Sequence, residues 1–138
     1  MILNIGRVSA MDVVVIDDSE IIRTRLSELL SGLEDVHVVG EADNALDGTR
    51  VVREIAPDVV ILDIKMPLGS GLDVLRNISK SNPETKVIVL TNYPYEQYRI
   101  TCMELGAKYF FDKSTEFDKL QGVLLQLRIE GAEEQDQA

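Results

Sequence analysis

Five short runs rich in apolar and β-branched residues recur along the chain, and each is bounded by polar residues, glycine or proline. Residues 13–16, 59–62 and 87–90 are continuously apolar, which is typical of central parallel strands that are covered on both faces. Segments with apolar residues at helical spacing follow the runs, so the pattern predicts five β-α units. The predicted strands occupy residues 13–16, 36–39, 59–62, 87–90 and 109–111.

Residue types at the predicted helix ends agree with this division. Ser19 is expected to cap the first helix. Thr115 and Asp118 have the spacing of a capping box that opens the last helix. Helices are expected to end at Gly32, Pro57 and Gly106.

Alternating strands and helices predict an α/β fold with a parallel sheet and right-handed crossovers, which is an open doubly wound architecture. Such sheets bind ligands beyond the carboxyl ends of their strands. At 138 residues the chain fits one domain. We assign residues 11–129 to this domain, residues 1–10 to an N-terminal extension, and the acidic residues 130–138 to a solvated tail.

Charge and hydropathy limit the functions that this chain can have. The net charge of −10 argues against direct binding of nucleic acid, because no excess of Lys and Arg is available to neutralise phosphates. No apolar run approaches the roughly 20 residues that a membrane-spanning helix needs. The N-terminus lacks the features of a signal peptide, and the single Cys102 suits a reducing compartment. A cytoplasmic location without membrane insertion is therefore expected.

Acidic residues follow two of the predicted strands at the point where each ends. Asp17 and Asp18 come directly after the first run, and Asp63 comes directly after the third. If these strands are neighbours, the three carboxylates meet at one edge of the sheet, where their mutual repulsion requires a cation. Oxygen ligands without paired His or Cys favour a hard ion, above all Mg2+.

Thr91 and Lys113 stand at the carboxyl ends of the fourth and fifth predicted strands, so a hydroxyl and an ammonium are expected beside the carboxylates. This combination suits phosphoryl transfer, in which the phosphoryl oxygens are held and their charge is neutralised. A carboxylate can also act as a nucleophile and form an acyl phosphate. Asp63 is therefore the expected acceptor of a phosphoryl group.

The joint pattern resembles the receiver domain of two-component response regulators, and the resemblance extends over about residues 12–127. It implies a flavodoxin-like fold with five helices and five parallel strands in the order 2-1-3-4-5. The residues that carry it are Asp17-Asp18, the segment from Asp63 to Pro67 with Gly71, Leu90-Thr91, and Asp112-Lys113.

The resemblance assigns a role to each charged residue of the group. Asp63 would be phosphorylated by a histidine kinase or a histidine phosphotransfer protein. Asp18, Asp63 and the backbone carbonyl of Lys65 would bind Mg2+ directly, and Asp17 would act partly through water. Lys113 would neutralise the phosphoryl oxygens. The only reactions catalysed would be the domain's own phosphorylation and dephosphorylation.

A two-state switch is the second implication of the resemblance. Thr91 would turn towards the phosphoryl group, and Phe110, at the position of the aromatic switch residue, would adopt an inward rotamer. The surface formed by helix 4, strand 5 and helix 5 would then change shape for a downstream protein target, and a phosphorylation-dependent homodimer is left open. Lys65 and Tyr93, two residues after Asp63 and Thr91, are expected to shield the acyl phosphate from water.

Alternative interpretations stay open at this point. An aspartyl-nucleophile phosphatase of the haloacid dehalogenase type would use similar chemistry, but it carries a second Asp where Lys65 stands. The chain could also be the receiver of a longer DNA-binding regulator, although its acidic, Gln-containing end favours a stand-alone protein. The presence of all three acids, Asp17, Asp18 and Asp63, disfavours a receiver that works without phosphorylation. His37 is expected to be a partly exposed residue of an edge strand and not a phosphate carrier. Turn or helix-cap roles are assigned to Asp43, Asn44, Asp47 and Asp73.

Overall fold

The computed structural model describes residues 10–137 and has, within that range, five β-strands that alternate with five α-helices. The N-terminal extension expected over residues 1–10 lies outside the described residues, except for residue 10. The strands are β1 (Met11–Ile16), β2 (Val36–Ala42), β3 (Val59–Leu62), β4 (Lys86–Thr91) and β5 (Tyr109–Asp112). The helices are α1 (Glu20–Ser31), α2 (Ala45–Ile55), α3 (Gly71–Ser81), α4 (Glu96–Glu104) and α5 (Leu120–Gln137).

The five strands form one parallel sheet in the order β2-β1-β3-β4-β5, so the predicted flavodoxin-like, doubly wound fold is confirmed. β1 pairs with β3 such that Ile16 lies opposite Leu62. The next residue on each strand, Asp17 or Asp63, therefore leaves the same edge of the sheet. The amide of Asp63 donates to the carbonyl of Ile16 at 3.0 Å, which continues the pairing into the loop.

Apolar residues of the central strands pack on both faces of the sheet, as their continuous runs predicted. Val14 and Ile16 belong to a core cluster with residues of α2 and α3. Val13 and Val15 belong to a second cluster with residues of α1 and α5. This alternation follows from the two-residue repeat of a strand. The two clusters together hold the strand ends from which the polar loop residues project.

Helix caps place two of the loops at this edge of the sheet. Ser19 caps α1 as expected, because its hydroxyl oxygen accepts a hydrogen bond from the amide of Ile22 at 3.2 Å. Ser70 and Asp73 form a capping box at the start of α3, so the cap role expected for Asp73 is confirmed, whereas its partner Ser70 was not predicted. Helices end at the expected positions, next to Gly32, Pro57 and Gly106.

The capping box expected from Thr115 and Asp118 is wrong. A 3₁₀ turn at Phe117–Lys119 precedes α5 and has no side-chain cap. The carboxylate of Glu116 accepts instead from the amide of Asp112 at 3.0 Å. The start of α5 is therefore determined by how the loop folds back on the end of β5, and not by a local cap.

Residues 130–137, expected to form a solvated tail, continue α5 instead. The carboxylate of Glu130 contacts Gln126 at 3.3 Å and Lys108 at 3.6 Å, which ties this part of the helix to its preceding turn and to the loop before β5. Glu, Gln and Ala also have high helix propensity. Among residues 10–137 no helix is long and apolar enough to cross a membrane.

Asn44, assigned to a cap role, is buried and caps α2. Its side-chain oxygen accepts from the amide of Asp47 at 2.8 Å, and its amide group donates to the carboxylates of Asp43 and Asp47 at 2.7 and 2.9 Å. We expect Asn44→Ala to lower the free energy of unfolding by about 1–2 kcal/mol, because the cap and both charge-assisted bonds are lost. Denaturant unfolding measures the change. Asn82→Ala, at the end of α3, is the control, and an equal loss there would contradict the prediction.

Candidate functional site

The carboxyl ends of β1 and β3 bring the predicted acids together. Asp17, Asp18 and Asp63 each place a carboxylate oxygen within 4.8 Å of the others. Asp17 and Asp63 are buried, whereas Asp18 is exposed. The pairing of β1 with β3 is the cause, because it sets Asp17 and Asp63 side by side at the end of adjacent strands.

Lys113 lies between the two buried carboxylates. Its ammonium nitrogen is 2.8 Å from Asp17 Oδ2 and 3.0 Å from Asp63 Oδ2, and the Lys113 side chain is itself buried. The backbone amide of Lys113 donates to the carbonyl of Thr91 at 2.8 Å, which extends the pairing of β4 with β5 by one residue. The strand pairing thus aims the ammonium at the acids.

Backbone amides and one arginine hold the acids in orientation. Oδ1 of Asp17 accepts from the amide of Ser19 at 2.9 Å, and Oδ1 of Asp63 accepts from the amide of Ile64 at 2.7 Å. Arg23 donates to the backbone carbonyl of Asp17 at 2.8 Å. The sequence reasoning missed Arg23, because an arginine in an amphipathic helix carries no local signal for contact with the preceding loop.

Burial and charge act in opposite directions on the buried groups. The pKa of Asp63 is raised overall. Desolvation is the largest cause and raises it, the charge of Lys113 acts to lower it, and the charge of Asp17 acts to raise it. Desolvation acts to lower the pKa of Lys113, but its contacts with both carboxylates outweigh this and raise that pKa overall. Lys113 therefore stays protonated and is the counter-charge that lets the two acids lie close together.

Gly71 lies against the backbone that carries Asp63. A Cβ atom at this position would overlap the carbonyl oxygen of Asp63 and lie 2.7 Å from Ile64 Cα. The amide of Gly71 donates to the carbonyl of Ile64 at 2.6 Å. Only a residue without a side chain permits this approach of α3, and the approach fixes the loop that follows β3.

Thr91 and Phe110, the predicted switch residues, are both buried. The hydroxyl oxygen of Thr91 accepts a hydrogen bond from the amide of Tyr93 at 3.1 Å. The Phe110 side chain is 3% exposed, and the guanidinium of Arg99 lies 4.9 Å from its ring centroid. Phe110 therefore already points inward in this structure, while Thr91 is bonded to the loop after β4.

A pocket of about 420 Å³ opens above the acids, and its lining includes Asp18, Asp63 and Lys113. Lys65 and Tyr93, predicted to shield the site, also line it. The Lys65 ammonium lies 4.2 Å from the centroid of the Tyr93 ring, which is a cation–π contact. The pocket is large enough for a phosphoryl group, and the Lys65–Tyr93 contact forms part of its lining.

The donor set fits Mg2+. The carboxylates of Asp17, Asp18 and Asp63 offer oxygen ligands from two strand ends, without His or Cys in the group. Lys113 neutralises part of their charge, and the remaining negative charge favours a cation. Asp18 lines the pocket and is open to solvent, so an ion entering the pocket can reach it.

Several other residues considered from the sequence lie apart from this group. His37 is exposed on the edge strand β2, as predicted. Cys102 is buried in α4, and burial raises the pKa of its thiol to about 11. Asp73 belongs to the capping box of α3, as its cap assignment predicted. None of these three lines the pocket above the acids.

Comparison with known proteins agrees with this arrangement. The family described as response regulator receiver domain matches residues 13–125. The chain belongs to this receiver family. The receiver is 33% identical to response regulator GacA of Pseudomonas aeruginosa over 115 residues, which cover 83% of this chain and 54% of that protein. It is 39% identical to oxygen regulatory protein NreC of Staphylococcus epidermidis over 111 residues, covering 80% of this chain and 51% of that protein.

Solved structures include close matches to the same fold. The response regulator domain of Thermotoga maritima CheB is 29% identical to this receiver, with a TM-score of 0.77, and the match covers 90% of this chain and 97% of that one. The chain spans about half the length of the curated relatives that it matches. Receiver domains are signalling modules of two-component systems, and the resemblance stated from the sequence motifs is thus confirmed.

Proposed function

We propose that this receiver accepts a phosphoryl group on Asp63 from the phosphohistidine of a histidine kinase or a histidine phosphotransfer protein. The observation that carries the proposal is the buried ammonium of Lys113, which bridges Asp17 and Asp63 beside a pocket open to solvent. A carboxylate nucleophile with a fixed positive charge next to it is suited to bind and stabilise a phosphoryl group.

The transfer would leave the donor histidine intact. An oxygen of Asp63 attacks phosphorus, the phosphorus–nitrogen bond breaks, and the departing imidazole takes up a proton. Lys113, now 3.0 Å from Asp63 Oδ2, is positioned to neutralise the phosphoryl oxygens. Mg2+ bound by Asp18, Asp63 and the carbonyl of Lys65, with Asp17 acting partly through water, would supply further charge neutralisation.

The proposed switch begins at Thr91. Its hydroxyl would exchange the hydrogen bond from the Tyr93 amide for one donated to a phosphoryl oxygen, and the loop after β4 would follow. Because Phe110 is already buried, we propose that movement of this loop and of α4 is the larger change. The surface of α4, β5 and α5 would thereby alter its fit to a downstream protein.

The proposed activity is limited to the domain's own phosphorylation and dephosphorylation. Lys65 stands where the haloacid dehalogenase phosphatases carry their second Asp, so the phosphatase alternative lacks its acid–base group. With a net charge of −10, contact with nucleic acid is not expected from this domain itself. We place the protein in the cytoplasm, where the thiol of Cys102 would stay reduced.

Incubation with acetyl phosphate and Mg2+ tests the proposal. Intact-protein mass spectrometry is expected to show one added phosphoryl group on the wild type and none on Asp63→Asn, because the amide is a poor nucleophile. Asp118→Asn, an exposed acid in the 3₁₀ turn, should be modified like the wild type. The proposal fails if the wild type gains no mass or if Asp63→Asn gains as much.

The lifetime of the acyl phosphate is expected to depend on Lys65 and Tyr93. Both side chains line the pocket and form a cation–π contact, which would hinder water from reaching the phosphorus. Tyr93→Glu removes the ring and adds a group that can orient water, so we expect the half-life to shorten about tenfold. Loss of the phosphorylated mass after addition of a chelator measures the rate. Tyr95→Glu, at an exposed position outside the pocket lining, is the control, and an unchanged half-life in Tyr93→Glu would contradict shielding.

A further inference from the structure

Arg23 of helix α1 contacts two other segments at the carboxyl edge of the sheet. Its Nη1 atom donates to the backbone carbonyl of Asp17 at 2.8 Å, and its Nε atom donates to Oε1 of Glu41 at 3.2 Å. Glu41 lies near the end of β2. The Arg23 side chain is only 18% exposed. One guanidinium thus ties the loop after β1 to the edge strand β2.

The carbonyl that Arg23 contacts belongs to the peptide group between Asp17 and Asp18. A peptide group is planar, so a fixed carbonyl oxygen also fixes the direction in which the chain leaves towards the Cα atom of Asp18. The preceding peptide group is held as well, since the amide of Asp17 donates to the carbonyl of Ala42 at 3.0 Å. The backbone that carries Asp18 is therefore oriented by β2 and α1 together.

Asp18 depends on this backbone for the placement of its carboxylate. Lys113 and backbone amides bind the carboxylates of Asp17 and Asp63. Asp18 is instead exposed at the pocket, yet one of its oxygens lies within 4.8 Å of ligand oxygens of both other acids. Because an aspartate side chain is short, a rotation of the peptide group before Asp18 would move its carboxylate away from the other two.

We propose that Arg23 and Glu41 are positioning residues for the Mg2+ site. Arg23 holds the Asp17–Asp18 peptide group so that the Asp18 carboxylate stays beside the other acids, and Glu41 holds the guanidinium of Arg23. Neither Arg23 nor Glu41 lines the pocket, so both act through Asp17 and Asp18. This role rests on the proposed function, since it concerns the cation that would assist phosphoryl transfer to Asp63.

The geometry of the guanidinium explains the part that Glu41 takes. A guanidinium is planar and rigid, so an acceptor at Nε also sets the direction of the N–H bonds at Nη1. An ion pair with a half-exposed partner contributes little to the stability of the fold. Residues that orient a metal ligand, in contrast, commonly change metal affinity by about 10–100-fold when they are replaced. Mg2+ affinity is therefore expected to respond to Arg23 and Glu41 more strongly than fold stability does.

Isothermal titration calorimetry of the unphosphorylated full chain with Mg2+ tests the proposal. Arg23→Met is expected to raise the Kd for Mg2+ about tenfold, because the peptide group before Asp18 is released. Arg23→Lys keeps a donor for the Asp17 carbonyl and should recover most of this loss. Arg25→Met, on the same helix with its guanidinium over the Phe117 ring, should bind Mg2+ like the wild type. A wild type that does not bind Mg2+, or equal Kd values for the wild type and Arg23→Met, would overturn the proposal.

Variants of Glu41 test whether the two residues act in series. Glu41→Ala is expected to raise the Kd for Mg2+ about threefold, whereas Glu41→Gln keeps an acceptor for Nε and should stay within about twofold of the wild type. Both variants remove the same charge, so a difference between them reports the contact with Arg23. The double variant Arg23→Met/Glu41→Ala should bind Mg2+ no more weakly than Arg23→Met alone. Fully additive losses, or equal losses in Glu41→Ala and Glu41→Gln, would overturn the role of Glu41.

Hydrogen exchange of the metal-free protein measures the same effect without any ion. The amide of Ser19 donates to Oδ1 of Asp17 at 2.9 Å, so its exchange reports how firmly the loop after β1 is held. This amide is expected to exchange faster in Arg23→Met than in Arg25→Met or the wild type. Equal exchange in all three proteins would show that Arg23 does not hold the loop.

The rate of phosphorylation by acetyl phosphate separates positioning from a direct role in the transfer. In Arg23→Met the Mg2+ concentration for half-maximal rate should rise about tenfold, while the rate at saturating Mg2+ stays within about twofold of the wild type, since Asp63 and Lys113 are unchanged. A lower maximal rate with an unchanged Mg2+ requirement would overturn the positioning role. If the wild type is not phosphorylated although Arg23→Met binds Mg2+ more weakly, the proposed function fails and the positioning role stands.

Discussion

Gly71→Ala is expected to lower the free energy of unfolding by about 3 kcal/mol or more. The new methyl group would overlap the carbonyl oxygen of Asp63 and lie 2.7 Å from Ile64 Cα. Both of these are backbone atoms, so no rotation of a side chain relieves the overlap. A variant that still folds must move Asp63 relative to Lys113, and its binding of Mg2+ is expected to weaken as well.

Denaturant unfolding of Gly71→Ala beside Gly131→Ala measures this effect. At Gly131, inside α5, the same methyl group would meet no atom within 4 Å. Alanine there is expected to raise the free energy of unfolding by about 0.5–1 kcal/mol, because it restricts the unfolded chain and favours the helix. Replacement of glycine by alanine should thus lower the free energy of unfolding at position 71 and raise it at position 131. Equal effects would show that α3 does not press against the end of β3.

Lys113→Met is the second substitution for which we expect a large effect. In the absence of Mg2+ and at neutral pH it should lower the free energy of unfolding by about 3 kcal/mol, because a buried pair that loses one partner leaves an uncompensated charge. Lys113 contacts Asp17 at 2.8 Å and Asp63 at 3.0 Å, so both carboxylates lose their counter-ion at once. The extent of phosphorylation by acetyl phosphate should also fall in Lys113→Met, because the ammonium that would neutralise the phosphoryl oxygens is absent.

The stability lost in Lys113→Met is expected to decrease as the pH falls. Burial already raises the pKa of Asp63, and removal of the neighbouring ammonium raises it further. A carboxyl with a higher pKa in the folded than in the unfolded protein favours folding at low pH, and this contribution is lost as the pH rises through the folded pKa. The difference in free energy of unfolding between Lys113→Met and the wild type should therefore be largest at a pH above the pKa that Asp63 has in the folded protein. It should be smallest at a pH below the pKa that Asp63 has in the unfolded protein.

Lys108→Met is the control for this experiment. Lys108 is exposed and contacts Glu130 at 3.6 Å, so its removal is expected to change stability by less than about 1 kcal/mol. Mg2+ should recover more stability in Lys113→Met than in the wild type, since a bound cation replaces the missing positive charge. If the two lysine variants lose equal stability, or if Mg2+ acts equally on Lys113→Met and the wild type, the counter-ion role of Lys113 is wrong.

The two ends of α5 depend on side-chain contacts that the sequence patterns did not predict. The box expected from Thr115 and Asp118 was wrong, because Glu116 bonds to the amide of Asp112 and thereby determines the loop before α5. The acidic residues after 129 were expected to be a tail, yet contact of Glu130 with Lys108 supports a continued helix. The first contact joins the Glu116 side chain to a backbone amide four residues earlier, and the second joins Glu130 to Lys108 in the loop before β5. Neither contact follows from the capping motif or from the acidic composition.

The sequence by itself determined the five β-α units and the place of Asp17, Asp18 and Asp63 at strand ends. Repeats of two and 3.6 residues are local properties of the chain, and an acid directly after an apolar run must leave the sheet at its carboxyl edge. The order of the strands came from the resemblance of the motifs to a known family, because periodicity does not say which strands are neighbours.

Only the tertiary structure decided how the charged groups meet. The pairing of β1 with β3 sets Asp17 beside Asp63, and the pairing of β4 with β5 directs Lys113 between them at 2.8 and 3.0 Å. It also decided that Phe110 already lies in the core while Thr91 bonds to the Tyr93 amide. The contacts of Lys113 join residues far apart in sequence, and packing of the two faces of the sheet holds them at bonding distance.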